Sequence, residues 1–251
     1  MSSPAARVDA LDLDLFKVVP SQTSDPEKRS LLAVQRAVAK HFGSYRYLEI
    51  GSHLGGSLQP HVIDPRCAVI YSVDLRPQIA PDDRSKEFVK VFKDNSTARM
   101  LENLKAVSAE GIAKIRTYDM DSKDVPRSAI TEPVHLAFID GEHTYAGAVR
   151  DFDLCQAVIA KDGVILFHDM YIVFPAIVDI MAGLRRQGRT FKAVKLERSI
   201  LALFLDPQVA DKDPFIKEVG QREEAELRRL QRRLRVKRMV PSFLHDLLKR
   251  A

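Results

Sequence analysis

The chain has 251 residues, 45% of them hydrophobic and 29% charged, which suits one sizeable globular core that needs no covalent staples. Its two cysteines, Cys67 and Cys155, lie far apart with no CxxC spacing, so neither a zinc site nor a disulfide framework is expected. The formal charge of +5 is uneven: residues 216–251 hold 11 Lys or Arg against 5 Asp or Glu, leaving the first 215 at −1, so the basic character belongs to the tail and not to the body. With no basic-then-apolar leader and no apolar run of bilayer length, export and membrane insertion are not expected, and a cytoplasmic location is.

Residues 1–24 are mixed and weakly periodic and read as an N-terminal arm. Asp25, Pro26 and Glu27 then offer an N-cap, a first-turn proline and a first-turn acid, and Leu31, Leu32, Val34, Val38 and Phe42 fall on or near one face before Gly43. That pattern predicts a helix over 26–42. Short apolar runs follow at 46–50, 68–74, 113–118, 134–140 and 163–168, with helical patterns between them. Runs that are apolar throughout suit parallel strands covered on both faces, since neither side meets water. A helix over 175–186 precedes two extended runs, 190–196 and 200–205, linked only by Glu197, Arg198 and Ser199. So short a link cannot carry a parallel crossover and predicts an antiparallel pair. From Lys217 a charged helix places Leu227, Leu230 and Leu234 on one stripe, and Pro241 breaks it before a short apolar Phe243–Leu248 segment. The fold class expected is α/β: a doubly wound, Rossmann-like sheet, mostly parallel, with a terminal antiparallel hairpin.

Tyr47 to Ser57 reads as a strand, a glycine-bearing turn and a helix start. Glycines there let backbone approach a ligand, and a helix N-terminus offers unpaired N–H groups. A dinucleotide fingerprint would want glycine where this chain has His53, and would not need the acid Glu49 before the turn. That carboxylate can receive the ammonium of a methionine moiety; with it, Gly51, Ser52, Gly55 and Ser57 are candidate cofactor residues. Asp74, ending the second strand, can accept both ribose hydroxyls. After the third, Asp121 is preferred over Asp119 as acceptor from an adenine amino group, with Met120 packing on the ring.

A second constellation lies at the ends of the fourth and fifth strands, Phe138 to Tyr145 and Val164 to Tyr171. Adjacent parallel strands end on the same edge, where ligands bind in such sheets, so Asp140, His168 and Asp169 should converge. Two carboxylates and an imidazole around one point suit a divalent cation, Mg²⁺ or Mn²⁺, which relieves the repulsion between the acids. Tyr145 and Tyr171 read as packing or rim residues.

The ordered set of strand-end acid, glycine turn, strand-two acid and aspartate after strand three resembles the class I S-adenosylmethionine (SAM) methyltransferases over about residues 30–206. Asp140 with His168 and Asp169 further resembles a metal-dependent O-methyltransferase family acting on sugars and related hydroxyl compounds, including enzymes of macrolide, aminocoumarin and mycobacterial polysaccharide pathways, with cephalosporin-hydroxylase-like relatives. The resemblance implies SAM as methyl donor, with Asp140 also beside it, and Asp140, His168 and Asp169 as metal ligands. The family often has two acids where this chain has His168 and Asp169. It also implies a cation-held alcohol attacking the methyl in line, with Glu142 or His143 removing its proton. The division expected is an arm over 1–24, a SAM-dependent methyltransferase domain over 25–215 and a basic helical tail over 216–251.

The acceptor implied is a sugar or oligosaccharide hydroxyl, as in polysaccharide biosynthesis; a catechol-like diol would suit the same chemistry. Three readings of the tail stay open: a solvated charged helix, a contact for a homo-oligomer, or a surface for anionic partners. No RNA-binding signature accompanies it, so nucleic acid is not the expected partner. The competing functions are a noncatalytic SAM-binding scaffold, an RNA methyltransferase guided by the tail, and a hydroxylase-like relative.

Overall fold

The structure, a computed structural model, describes residues 2–77, 79–84 and 89–239. In chain order it runs α1 (Pro4–Asp9), α2 (Asp25–Phe42), β1 (Tyr45–Ile50), α3 (Gln59–Ile63), β2 (Cys67–Val73), β3 (Ile79–Pro81), β4 (Val89–Val91), α4 (Thr97–Lys105) and β5 (Ile115–Tyr118). Then come β6 (Val134–Ile139), α5 (Tyr145–Val158), β7 (Ile159–Phe167), α6 (Met170–Arg186), β8 (Lys192–Lys195), β9 (Leu201–Phe204), α7 (Pro207–Lys212) and α8 (Pro214–Met239).

Seven strands form one sheet in the order β5-β2-β1-β6-β7-β9-β8. The first five are parallel, and β9 runs antiparallel to both β7 and β8. This is the doubly wound sheet with a terminal hairpin that the sequence pattern predicts. Successive strand residues feed two separate cores. Tyr45, Tyr47, Val164 and Leu166 pack under α2, α3, α4 and α7. Leu48, Ile50, Ile165 and Phe167 pack under α5 and α6. Burial on both faces is why these strands are apolar throughout.

Several expectations shift. Ser24, not Asp25, caps α2, and its backbone N–H donates to Glu27 at 2.9 Å. The glycine turn does not open directly into a helix: residues 51–58 stay in turns, with His53 and Gly55 at positive φ, and only the short α3 begins at Gln59. Helix α6 starts at Met170 rather than 175, with Pro175 inside it. The β3–β4 ribbon was not foreseen, because its strands have three residues each and lack a recognisable period. Residues 2–24, read as an arm, place Val8, Leu15, Phe16 and Val19 in the core. The Gln59 side chain binds there, accepting from the Val19 N–H at 2.8 Å.

The leucine stripe of α8 faces this chain's own core: Leu227 is buried, and Leu230 and Leu234 pack partly against it. The Pro241 break and the Phe243–Leu248 segment lie outside the described residues. Among the described residues no helix is long and apolar enough to cross a membrane.

Candidate active site

Register assembles the site. Val73, Ile50, Ile139 and Phe167 are paired across β2, β1, β6 and β7 in one row. The residues one step beyond, Asp74, Gly51, Asp140 and His168, therefore share the carboxyl edge of the sheet, where open α/β sheets bind ligands. Backbone bonds hold that row: Gly51 N–H donates to Val73, Asp140 N–H to Ile50 and His168 N–H to Ile139, at 2.8, 2.9 and 3.0 Å. Gly51 has φ +90°, and a Cβ there would stand 2.2 Å from the Asp140 carbonyl oxygen. Only glycine fits between the two strand ends.

A cleft of about 140 Å³ opens over this edge. Gly51, Asp74, Met120, Asp121 and Asp140 line it. Asp121 stands on the wall, whereas Asp119 is absent from it and binds Thr97 and Arg76. Asp74 accepts from the backbone N–H of His53 at 2.8 Å and of Arg76 at 2.7 Å.

Four candidate cofactor residues stand behind the wall instead of on it. Glu49 is wholly buried and accepts from the hydroxyls of Tyr47 and Ser57, both at 2.5 Å. Burial, only partly offset by those two hydroxyls, pushes its carboxyl up to about 8. Ser52 accepts from the Ser72 hydroxyl at 2.9 Å, and Gly55 packs on Leu104 and Met100. The cleft also contains a carboxyl that the sequence reading missed. Asp151 of α5 is buried, accepts from Ser122 at 2.6 Å and is raised to about 6 by burial. As an acid inside an amphipathic helix, it gave no sign of facing inward.

Asp140 also belongs to a second group. One potential ligand atom each from Asp140, His143, His168 and Asp169 lies within 4.8 Å of the others. The expected trio does converge, and His143 joins it. His168 Nδ1 is 3.0 Å from Asp140, and His143 Nε2 is 3.4 Å from it. His143 Nδ1 lies 3.3 Å from Asp169 and 3.1 Å from Asp82. Asp169 caps α6 in the left-handed region, φ +46°, an uncommon backbone for a residue other than glycine and one found at functional sites. On the far side of the ring, His168 Nε2 is 3.5 Å from Glu27. Burial would raise the Asp140 carboxyl, yet the two imidazoles hold it well below its ordinary range. His168 moves the other way: burial alone would lower it, and the acids around it, Asp140 first, raise it strongly.

Asp82 reaches the group from the β3–β4 ribbon, which docks by a bridge to His143 and an Asp83 N–H bond to the His143 carbonyl at 2.9 Å. No motif pointed to it. Glu142, the other candidate base, lines the cleft but stands outside the four-residue group. It accepts from Thr144 at 2.6 Å and Arg150 at 3.2 Å. Tyr145 and Tyr171 are 43% and 45% exposed, rim positions as expected.

Residues 48–170 match the family described as a methyltransferase domain. Over those residues the chain is similar to a methyltransferase domain. Solved structures similar in fold include the O-methyltransferase NovP, with a TM-score of 0.54 and 14% identity over 70% of this chain and 78% of that one. Rv0187 from MTB, in a cofactor-bound form, has a TM-score of 0.52 and 13% identity over 81% and 90%. CalS11, a calicheamicin methyltransferase, has a TM-score of 0.51 and 14% identity over 80% and 91%. At these identities the likeness is one of fold. Among curated proteins, an uncharacterized protein of Acanthamoeba polyphaga mimivirus is 23% identical over 146 residues, 55% of this chain; the match spans 60% of that protein's length.

Proposed function

We propose that this methyltransferase moves the methyl group of SAM to a hydroxyl of a sugar or glycoside, at a site organised by a divalent cation. The reading rests on the double position of Asp140, which lines the cofactor cleft and belongs to the acid–imidazole group. Donor and acceptor would then meet beside one side chain.

The residues fit both absent groups. Toward SAM, the wall offers Gly51 with Asp74, Met120 and Asp121 for the nucleoside. Glu49 would serve the amino group once Ser57 yields its bond to that carboxylate. Toward a cation, Asp140, Asp169 and His168 supply two carboxylates and one imidazole, which leaves His143 for proton transfer, and both His168 ring nitrogens are buried with neither in a well-directed hydrogen bond. Such a set suits Mg²⁺ or Mn²⁺. When bound, the cation would lower the pKa of a nearby hydroxyl and SAM would supply an electrophilic methyl group.

His143 is the better placed of the two bases. It stands inside the group with Asp82 behind Nδ1, an arrangement that fixes the tautomer and orients the ring, while both oxygens of Glu142 are engaged. A sugar acceptor draws support from the resemblance and from CalS11, whose apo structure is described as that of a TDP-rhamnose 3′-O-methyltransferase.

Calorimetric titration with SAM, with and without Mg²⁺, followed by labelled-methyl transfer to glycoside and phenol panels, tests the reading. The expected result is SAM binding that survives EDTA and transfer to a glycoside that does not. Absence of SAM binding, or transfer indifferent to EDTA, would overturn it.

A further inference from the structure

A second concavity lies at the same edge of the sheet, on the other side of His168 from the cofactor cleft. Glu27 forms part of its wall and is the residue 3.5 Å from His168 Nε2. The groove is an open space of about 590 Å³, bounded by Ser24, Tyr171, Lys195, Ser199 and Glu226. Tyr171 is two residues beyond Asp169, and Ser199 accepts the Met170 N–H through its carbonyl at 2.9 Å. The groove is therefore tied to the backbone that carries the metal-site acid.

Its chemistry is specific. Tyr171 leaves 45% of its surface exposed, yet its hydroxyl donates to Glu226 at 2.9 Å and the Lys195 ammonium sits 5.8 Å from its ring centre. Lys195 is itself buried and paired with Glu223 at 2.5 Å and Glu226 at 3.2 Å. A partly exposed aromatic ring held this firmly is preorganised, costing little side-chain entropy when a ligand settles against it. Hydroxyls and carboxylates ring the platform, and α8 supplies its outer wall. A flat apolar face edged by hydrogen-bonding groups matches one thing above all, a pyranose ring, apolar on its C–H face and polar at its rim.

Resting on the function proposed above, we infer that this groove is the acceptor subsite, with Tyr171 as the platform for a pyranoside and α8 as part of the substrate wall. The tail helix then has a role that its charge pattern does not announce.

Saturation-transfer NMR with methyl glucopyranoside, on the full chain with and without Tyr171→Ala, reads the subsite without turnover. A signal in the wild type that Tyr171→Ala abolishes supports the inference. No signal, or one indifferent to the substitution, overturns it, as does catechol displacing the pyranoside from the groove. In steady state with a pyranoside acceptor, Tyr171→Ala should raise acceptor KM about tenfold or more while kcat falls far less. Tyr171→Phe, which keeps the ring, should recover most of that loss. Unchanged SAM affinity in both variants establishes that the fold is intact. Methyl transfer to a pyranoside with KM unmoved by Tyr171→Ala would sink the groove and leave the function standing. Tyr171-dependent pyranoside binding without any methyl transfer would do the reverse.

Discussion

Two pairs of carboxyl groups lie within this site and meet opposite fates. Glu49 and Asp151 accept hydrogen bonds from uncharged hydroxyls, those of Tyr47 and Ser57 in one case and Ser122 in the other. Burial dominates, and they are raised to about 8 and about 6. Asp140 and Glu27 are also penalised by burial, but both face His168, and both are held well below the ordinary carboxylate range. His168 faces both acids, helped by His143 at Asp140 and by Ser199 and Ser24 at Glu27, and together these partners outweigh the desolvation. In and behind the cleft burial favours the protonated carboxyl; at the acid–imidazole edge the charged form is favoured.

The division breaks most sharply if either half is removed alone. Asp169→Ala deletes a carboxylate of the charged edge that does not line the cleft. It should reduce turnover by about a thousandfold or more while SAM affinity stays within a few-fold, measured by labelled-methyl transfer and calorimetry. Asp140→Ala should damage both, because Asp140 lies on both surfaces. SAM affinity falling in step with activity in Asp169→Ala would erase the boundary between the halves.

Gly51→Ala attacks the seam. The new Cβ would meet the Asp140 carbonyl at 2.2 Å and its carbon at 2.5 Å, with backbone at φ +90°. The strain should cost roughly 2–4 kcal/mol of stability, read by denaturant melting, and should weaken SAM binding together with activity.

A smaller effect sharpens the contrast in sign. With ligands and metal absent, the folded chain retains the Glu49 proton that the unfolded chain releases above 4.5. Glu49 therefore contributes a stability loss as pH climbs from about 4.5 to 8. Glu49→Gln should abolish that slope and be more stable than the wild type at pH 8 by on the order of a few kcal/mol. Glu27 works the other way: its folded value is depressed, so its contribution is present above 4.5 and lost as pH falls below it. Glu27→Gln should cost roughly 1–3 kcal/mol near neutrality and less in acid. Chemical denaturation from pH 4 to 9 reads both; parallel slopes would refute the contrast.

The sheet was legible because burial on both faces writes itself into continuous apolar runs, and the strand-end residues Asp74, Asp140, His168 and Asp169 were legible because adjacent parallel strands must end together. What escaped was whatever arrived from elsewhere in the chain. Glu27 belongs to a helix start whose acid reads as a capping feature, which it is, since it binds Ser24; nothing local says that its other oxygen turns toward His168. Asp151 sits on a helix and Asp82 on a three-residue ribbon, and neither has a periodic pattern from which inward orientation can be inferred. Glu49 was legible as an acid at the right strand end, but its protonation and its place behind the wall depend on Tyr47 and Ser57 closing over it.

Asp82 gives the last and mildest test, because it lies on neither side of the contrast. It touches none of the cleft chemistry; its side chain meets His143 Nδ1 at 3.1 Å and Arg84 at 3.3 Å. If His143 is the base, Asp82 positions it, as partners behind functional imidazoles do. Asp82→Asn keeps size and a hydrogen-bonding oxygen but removes the charge, and should lower kcat by roughly tenfold to a hundredfold. The acidic limb of the kcat–pH profile should move to lower pH, because an imidazole without an anion behind it is less basic. Asp82→Ala would lose the same limb together with ribbon docking, so the asparagine variant is the diagnostic one. A drop in kcat with the limb unmoved would assign Asp82 to holding the ribbon and return Glu142 to the role of base.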